Sequence, residues 1–262
     1  MKTAKEHWDA ISNEYWGDGG LEVADKVEHD PAWAFPDVVY AMIRKRFPDL
    51  TGKKVLVPSS GGNDAVFAFH LLGADVTSCD ISENQLANAK KIADAKGWDI
   101  RFICEDSMEL SSIGDGGYDL VYTSNGVHVW ISNLPKMHGR FCRILKDGGY
   151  YIMFETHPFI RPMGNDEVPV VTVAHLYEDI ERCGDVPNYA WRVMDIFNSV
   201  THSGFVIEHM EEFHPKPSDS NLWFYKSEAE AEQDGYHRFD WQQNPWAALP
   251  QWIGLSARKA QK

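Results

Sequence analysis

Asp80 closes the apolar run ADVTSCD and stands 19 residues beyond Gly61, which lies in the turn Pro58-Ser59-Ser60-Gly61-Gly62-Asn63-Asp64. The two features have a joint chemical meaning. Small residues between a strand and a helix let a ligand approach the backbone, where the first helical N–H groups have no partner of their own. A carboxylate ending the next strand is acceptor-only, so it suits the two donors of a ribose diol. Glu105-Asp106-Ser107 follows a third apolar run and is placed to meet the exocyclic amine of an adenine. Ser124-Asn125-Gly126 follows a fourth and is expected at the centre of the cleft. Asp80 has a structural alternative, as the cap of a helix beginning near Ser82. Ser82 supplies that cap itself, with Gln85 at capping-box spacing.

These residues need a scaffold that brings strand ends together. KKVLVP is short and wholly apolar at its centre, as expected of a strand buried on both faces. ADVTSCD, IRFICE, YDLVYTS and GYYIMFE read as further strands, with helices at Asp64–Leu72, from Ser82 to about Lys96, and at Leu134–Leu145. Gly73 and Gly97 are placed as helix stops, and Asp147-Gly148-Gly149 is expected to end the last helix. Alternation of this kind predicts an α/β chain: a Rossmann-like, seven-stranded, mostly parallel sheet with an antiparallel C-terminal strand and helices on both faces. Open sheets of this class bind ligands beyond the carboxyl ends of their strands, where strand order reverses.

Outside that core, Trp8, Ile11, Tyr15 and Trp16 share one helical face in an N-terminal segment, which Gly17 to Gly20 is expected to break. An irregular stretch with Pro31 and Pro36 then leads to a helix over Val38–Phe47. Residues 160–189, with Pro162, Pro169 and Pro187, look like an insertion. Asp195–His202 resumes as helix, FVIEHMEEF as strand, and LPQWIGLSAR as a last strand, after a polar and aromatic stretch from Ser218 to Asn244. No repeat and no second core is evident, so 1–262 reads as one domain. Its parts are an N-terminal helical lid (1–50), a ligand-binding core (53–156), an insertion (159–191), and C-terminal strands with an aromatic tail (192–262).

Composition narrows the ligand. A net charge of -14 speaks against nucleic acid, whose phosphates need a basic stripe. No apolar run approaches the roughly 20 residues of a membrane helix, and the N-terminus lacks a secretory pattern, so a cytoplasmic location is expected. The four cysteines form no CxxC pair, and the eleven histidines show neither HExxH nor HxH, so no metal site is expected. Cys79 and Cys104 fall in strands, where a thiol usually acts as a small buried hydrophobe.

The ordered series VLVPSSGGN, VTSCDIS, CEDSMEL, YDLVYTSNGVHVWI and RILKDGGYYIMFE resembles that of class I S-adenosylmethionine-dependent methyltransferases. It is most similar to the small-molecule branch that includes ubiquinone and menaquinone biosynthesis enzymes. WDAISNEYW resembles that family's aromatic lid, and GFVIEHMEEF and ALPQWIGLSARK its final strands. The resemblance implies S-adenosyl-L-methionine as cofactor and methyl transfer to a small molecule by in-line displacement. It places Ser59, Gly61 and Asn63 at the methionine end of the cofactor, with backbone carbonyls near Pro58 available to its amino group. Asp80 would hold the ribose and Ile81 would pack on the adenine. Gln85 is also expected among the cofactor-binding residues. Asp106 and Ser107 would meet the adenine edge, Asn125 would flank the sulfonium, and Tyr15 would close from the lid.

Departures are visible too. The family usually has an acid at the position of Val57 and glycine at those of Ser59 and Asn63; Asn63 retains access to left-handed dihedrals. A general base is needed only for a weakly acidic acceptor, and by location His128 and His157 are the candidates, each with a structural alternative. Acceptor contacts are expected from the insertion, with Arg161 and His175, and from Trp223, Tyr225, Trp241 and Trp246 in the tail. Two rivals stand. One is a nicotinamide-dependent oxidoreductase, opposed by Ser59, Gly61 and Asp64 in the three glycine positions of GxGxxG. The other is a module that binds the cofactor without catalysis.

Overall fold

The computed structural model describes residues 2–16, 19–164, 170–182, 184–220 and 222–261, without the side chains of residues 14–16. Three helices come first: α1 (Ala4–Trp16), α2 (Gly19–His29) and α3 (Asp37–Arg46). The core then alternates as β1 (Lys54–Pro58), α4 (Asp64–Leu71), β2 (Asp75–Asp80), α5 (Glu83–Lys96), β3 (Arg101–Cys104), β4 (Tyr118–Thr123), α6 (Leu134–Ile144) and β5 (Leu145–Thr156). A short hairpin, β6 (Glu181–Arg182) and β7 (Asn188–Tyr189), interrupts it. The chain finishes with α7 (Val193–His202), β8 (Phe205–Phe213), α8 (Glu228–Asp234) and β9 (Trp252–Lys259).

The seven main strands lie in the order β3-β2-β1-β4-β5-β9-β8. β1 to β5 pair in parallel, and β9 runs antiparallel between β5 and β8. This is the expected sheet. Side chains alternate across each strand, so the two faces collect different partners. Val55, Val57, Val76, Leu120 and Tyr122 face α2 to α5, where Ala24, Val27, Val39, Ile43 and Val66 are buried. Leu56, Val121, Tyr151, Met153 and Leu255 face α6 and α7, against Met137, Phe141, Ile196 and Val200. After Lys54, which is exposed, the sequence of β1 is apolar because both of its faces are covered.

Three expectations need correction. α2 lies where an irregular stretch was expected. Its start, Gly19-Gly20, is a poor helix former, and it is held by burying Ala24 and Val27 against α4 rather than by local propensity. Asp147-Gly148-Gly149 does not separate α6 from the strand: β5 already begins at Leu145, and its register slips between Leu145 and Tyr150. The turn is looped out within the strand, and a Cβ on Gly149 would come 2.9 Å from the Lys146 carbonyl. Cys104 is exposed, unlike buried Cys79, because β3 is the sheet's edge.

From β1 the chain moves outward to β3, then returns to place β4 on the other side of β1. The carboxyl ends of β1 and β4 therefore diverge at the reversal point, leaving a crevice above them.

Candidate functional site

The turn after β1 is built on alternating left-handed residues. Ser59, Gly61 and Asn63 have φ of 51°, 49° and 58°. Glycine takes such angles freely, and asparagine more readily than most residues. Ser59 is offset by a 2.7 Å hydrogen bond between its hydroxyl and that of Ser107. Asn63 is fully buried and looks inward: its amide donates to the Gly61 carbonyl at 2.7 Å, and its oxygen lies 2.6 Å from Ser78 Oγ. Asn63 thus braces the turn from behind.

Asp80 connects this turn to the second strand. Its carboxylate accepts from Gly61 N–H at 3.2 Å and from Ser82 N–H at 2.9 Å. Ser82 caps α5 through Gln85 N–H, so the helix does not depend on Asp80 for its cap. Burial pushes the Asp80 carboxyl above its usual range, while the N–H groups of Ser82, Gly61 and Ile81 pull it back. A carboxylate has about four acceptor positions. These contacts leave acceptor capacity for a ligand.

Above the turn lies a cavity of about 640 Å³. The ends of four strands reach it through Ser59, Gly61, Asp80, Ile81, Asp106 and Ser107, together with Ser124 and Asn125. Pro58, Asn63 and Gln85 do not line it; Pro58 and Asn63 are buried in the support of the turn, and Gln85 is buried in the first turn of α5. Asn125 is held by a hydrogen bond from the Thr156 hydroxyl, and Asp106 accepts from Met108 N–H at 2.8 Å.

The N-terminal helix covers one side. Thr3, Ala4, Lys5 and Trp8 line the cavity. Asp9 secures the helix by accepting from Ser82 Oγ at 2.6 Å and from Lys5 at 2.7 Å. His7 stacks on Trp130 at 5.2 Å, and Trp8 meets the same ring edge-on. The side chain of Tyr15, expected here, lies outside the described residues.

The histidines sit differently. His128 and His157 are both buried, and neither lines the cavity. His157 pairs through Nε2 with Glu212 on β8 at 2.8 Å, and its Nδ1 accepts from Phe159 N–H. His128 packs edge-on against His138, with ring centres 5.7 Å apart. Burial holds both rings below the ordinary histidine range, and for His138 the neighbouring His128 adds to it. The sign of the pH effect follows. The unfolded chain binds these protons near pH 6.5 while the folded chain excludes them, so stability should fall as pH drops below that value. The expected slope is about 1.4 kcal/mol per pH unit for each ring. Melting temperatures from pH 8 to 5 should show the fall, and His128→Gln should flatten it. Equal slopes in the two proteins would contradict this account.

Glu155, at the end of β5, carried no signal in the sequence. It is 2% exposed and accepts from Gly126 N–H at 2.7 Å, His128 N–H at 2.9 Å and Thr156 N–H at 2.8 Å. It thereby fixes the loop that presents Asn125. The expected acceptor side is also different in detail. The insertion reaches the cavity through Pro187 and Tyr189, and the tail through Ser220. Arg161 instead approaches Glu155 at 3.5 Å, and His175 is exposed. Trp223 bonds Gln251, Tyr225 bonds Asp234, Trp246 bonds the Val170 carbonyl, and Trp241 is 61% exposed. Among the described residues, no group of three or more His, Cys, Asp or Glu is arranged to hold a metal, and no helix is long and apolar enough to cross a membrane.

The carboxyl ends of β1 to β4 and the turn after β1 fall within residues 58–149, which match the family described as a methyltransferase domain. That stretch of the chain is similar to a methyltransferase domain. The chain is 28% identical over 166 residues to an uncharacterized methyltransferase of Bacillus subtilis, covering 62% of this chain and 64% of that one. It is 29% identical over 121 residues to the demethylmenaquinone methyltransferase of Thermus thermophilus, covering 44% and 54%. The matched region therefore spans less than two thirds of either relative. In fold, the methyltransferase domain and its flanks resemble an S-adenosylmethionine dependent methyltransferase from Mesorhizobium loti, with a TM-score of 0.62 at 23% identity, over 84% of this chain and 97% of that one.

Proposed function

We propose that this protein transfers the methyl group of S-adenosylmethionine to a small-molecule acceptor in the cytoplasm, by in-line displacement. The observation that carries the reading is the convergence of four strand ends, with Ser59, Gly61, Asp80, Asp106 and Asn125, on one cavity at the reversal point of the sheet. The donor set suits the cofactor: Asp80 has acceptor positions left for a ribose diol, Ile81 offers an apolar surface for a purine, and the turn exposes small residues. When bound, the cofactor supplies a carbon activated by positive sulfur.

The residues of the chain then have two tasks. Asp80 and the turn orient the nucleoside, and Asn125, fixed by Thr156, borders the centre of the cleft. α1, Pro187 and Tyr189 form one wall of the cavity and narrow its contact with water. Orientation and water exclusion are what such a displacement asks of a protein. With His128 and His157 out of the lining, the geometry favours an acceptor that needs no histidine base. The acidic surface, at a net charge of -14, supports a small neutral or cationic acceptor over a nucleic acid.

One observation favours a second reading, a binder without catalysis. Val57, where relatives of this kind usually carry an acid, is a buried core residue. A ligand that binds only the native state raises the melting temperature. We expect stabilisation of about 2.7 kcal/mol by S-adenosylhomocysteine at a hundred times its Kd, and none by NAD(H). The reverse pattern would replace the methyltransferase reading with an oxidoreductase. Stabilisation without methyl transfer to any acceptor from an extract of small molecules would favour the binder.

A further inference from the structure

The cavity changes character along its length. On the side of α1 and α5 its ionisable groups are Lys5, already paired with Asp9, and Asp80 and Asp106. The face of the sheet covered by α3 and α4 contributes Ala34, Pro36, Tyr122 and Phe154, and with them a single acid, Asp64.

Asp64 is the first residue of α4 and is partly exposed, towards the cavity that it lines. It accepts from Ala65 N–H at 2.9 Å. Among the described residues no lysine, arginine or histidine comes within 4.0 Å of its carboxylate. Burial raises its carboxyl above the usual range. Beside it, Tyr122 is 1% exposed and lines the same wall. The other buried tyrosines use their hydroxyls, Tyr118 on Thr77, Tyr151 on Thr123 and Tyr225 on Asp234. The Tyr122 hydroxyl has no partner among the described residues. The two groups feel each other's charge but are not hydrogen-bonded.

An uncompensated acid and an unused phenol in one water-poor wall select their ligand by charge. A neutral hydroxyl would satisfy Tyr122 and leave the carboxylate unpaired, and an anion would be repelled. A protonated amine neutralises Asp64 and has hydrogens for both groups. We infer that the Asp64–Tyr122 end of the cavity receives an ammonium group, with Asp64 as its counter-ion and Tyr122 as a hydrogen-bond partner. The inference rests on the cavity being the site of cofactor and acceptor. The ammonium comes from one of two sources: the amino-acid end of the cofactor, or an amine on the acceptor.

Calorimetric titration of wild type, Asp64→Asn and Tyr122→Phe separates them. Asparagine retains an acceptor for Ala65 N–H, so the start of the helix is kept. The probes are S-adenosylhomocysteine, 5′-methylthioadenosine, which lacks the amino-acid end, and benzylamine, added to the free protein and to its S-adenosylhomocysteine complex. If the cofactor supplies the amine, Asp64→Asn weakens S-adenosylhomocysteine tenfold or more and leaves methylthioadenosine within twofold. If the acceptor supplies it, both thioethers bind unchanged and benzylamine binding is lost in the variant. Tyr122→Phe should show the same selectivity with a smaller loss. Equal weakening of both thioethers would assign Asp64 to holding the turn, and no change with any probe would leave it without a ligand; either overturns the inference. Wild type binding neither thioether would sink the cofactor reading instead, and benzylamine on the free protein would still decide the role of Asp64.

Discussion

Glu155→Ala should destabilise the protein by about 3–5 kcal/mol and loosen the centre of the cleft. The side chain is buried and accepts from three N–H groups, of Gly126, His128 and Thr156, which no other group is placed to satisfy once it is gone. Each buried donor left unpaired costs on the order of 1–3 kcal/mol, more beside a charge. For a chain of this size the melting temperature should fall by roughly 10 °C. Glu155→Gln keeps one acceptor oxygen and should lie between. A melting point unchanged in Glu155→Ala would mean that water or a shifted backbone replaces the carboxylate. The loop that Glu155 holds also carries Asn125, so cofactor affinity should drop in Glu155→Gln even where the fold persists.

The second large effect is expected at Asp80. Asp80→Ala should weaken S-adenosylhomocysteine binding by about 1.5–3 kcal/mol, the range for a lost charged hydrogen bond, or roughly 10- to 150-fold. Asp80 does two things, however, since it also accepts from Gly61 N–H and Ser82 N–H. Adenine, which has no ribose, separates them. A direct contact with the diol predicts that 5′-methylthioadenosine loses affinity in the variant while adenine does not. Parallel losses for both would assign Asp80 to shaping the turn, and unchanged affinity with an intact fold would remove it from the site.

Much of the framework was legible because each part of it is written locally. Ser82 with Gln85, Gly97 in the left-handed region, and the apolar run Val55–Pro58 of β1 are local signals with local causes, and the structure realises each of them. α2 was illegible for the opposite reason: a glycine-led segment becomes helical when Ala24 and Val27 find a surface supplied by distant residues. The looped-out turn at Asp147-Gly148-Gly149 was misread because a turn residue marks a reversal without saying whether the strand has already begun.

The site divides along the same line. Asp80, its distance from Gly61, and the strand ends at Asp106 and Asn125 were determined by sequence alone, because parallel sheets place successive strand ends side by side. The altered turn is also better defined than its composition suggests: Ser59 and Asn63 hold the left-handed angles that glycine would take more easily. What only the tertiary structure decided is which side chains face the cavity and which serve it from behind. Asn63 faces inward, His128 and His157 lie in the interior, and Glu155, Asp64 and Tyr122 emerge as the groups that hold or charge the wall. Facing depends on packing between elements far apart in the chain, and that is set by the whole core rather than by any motif.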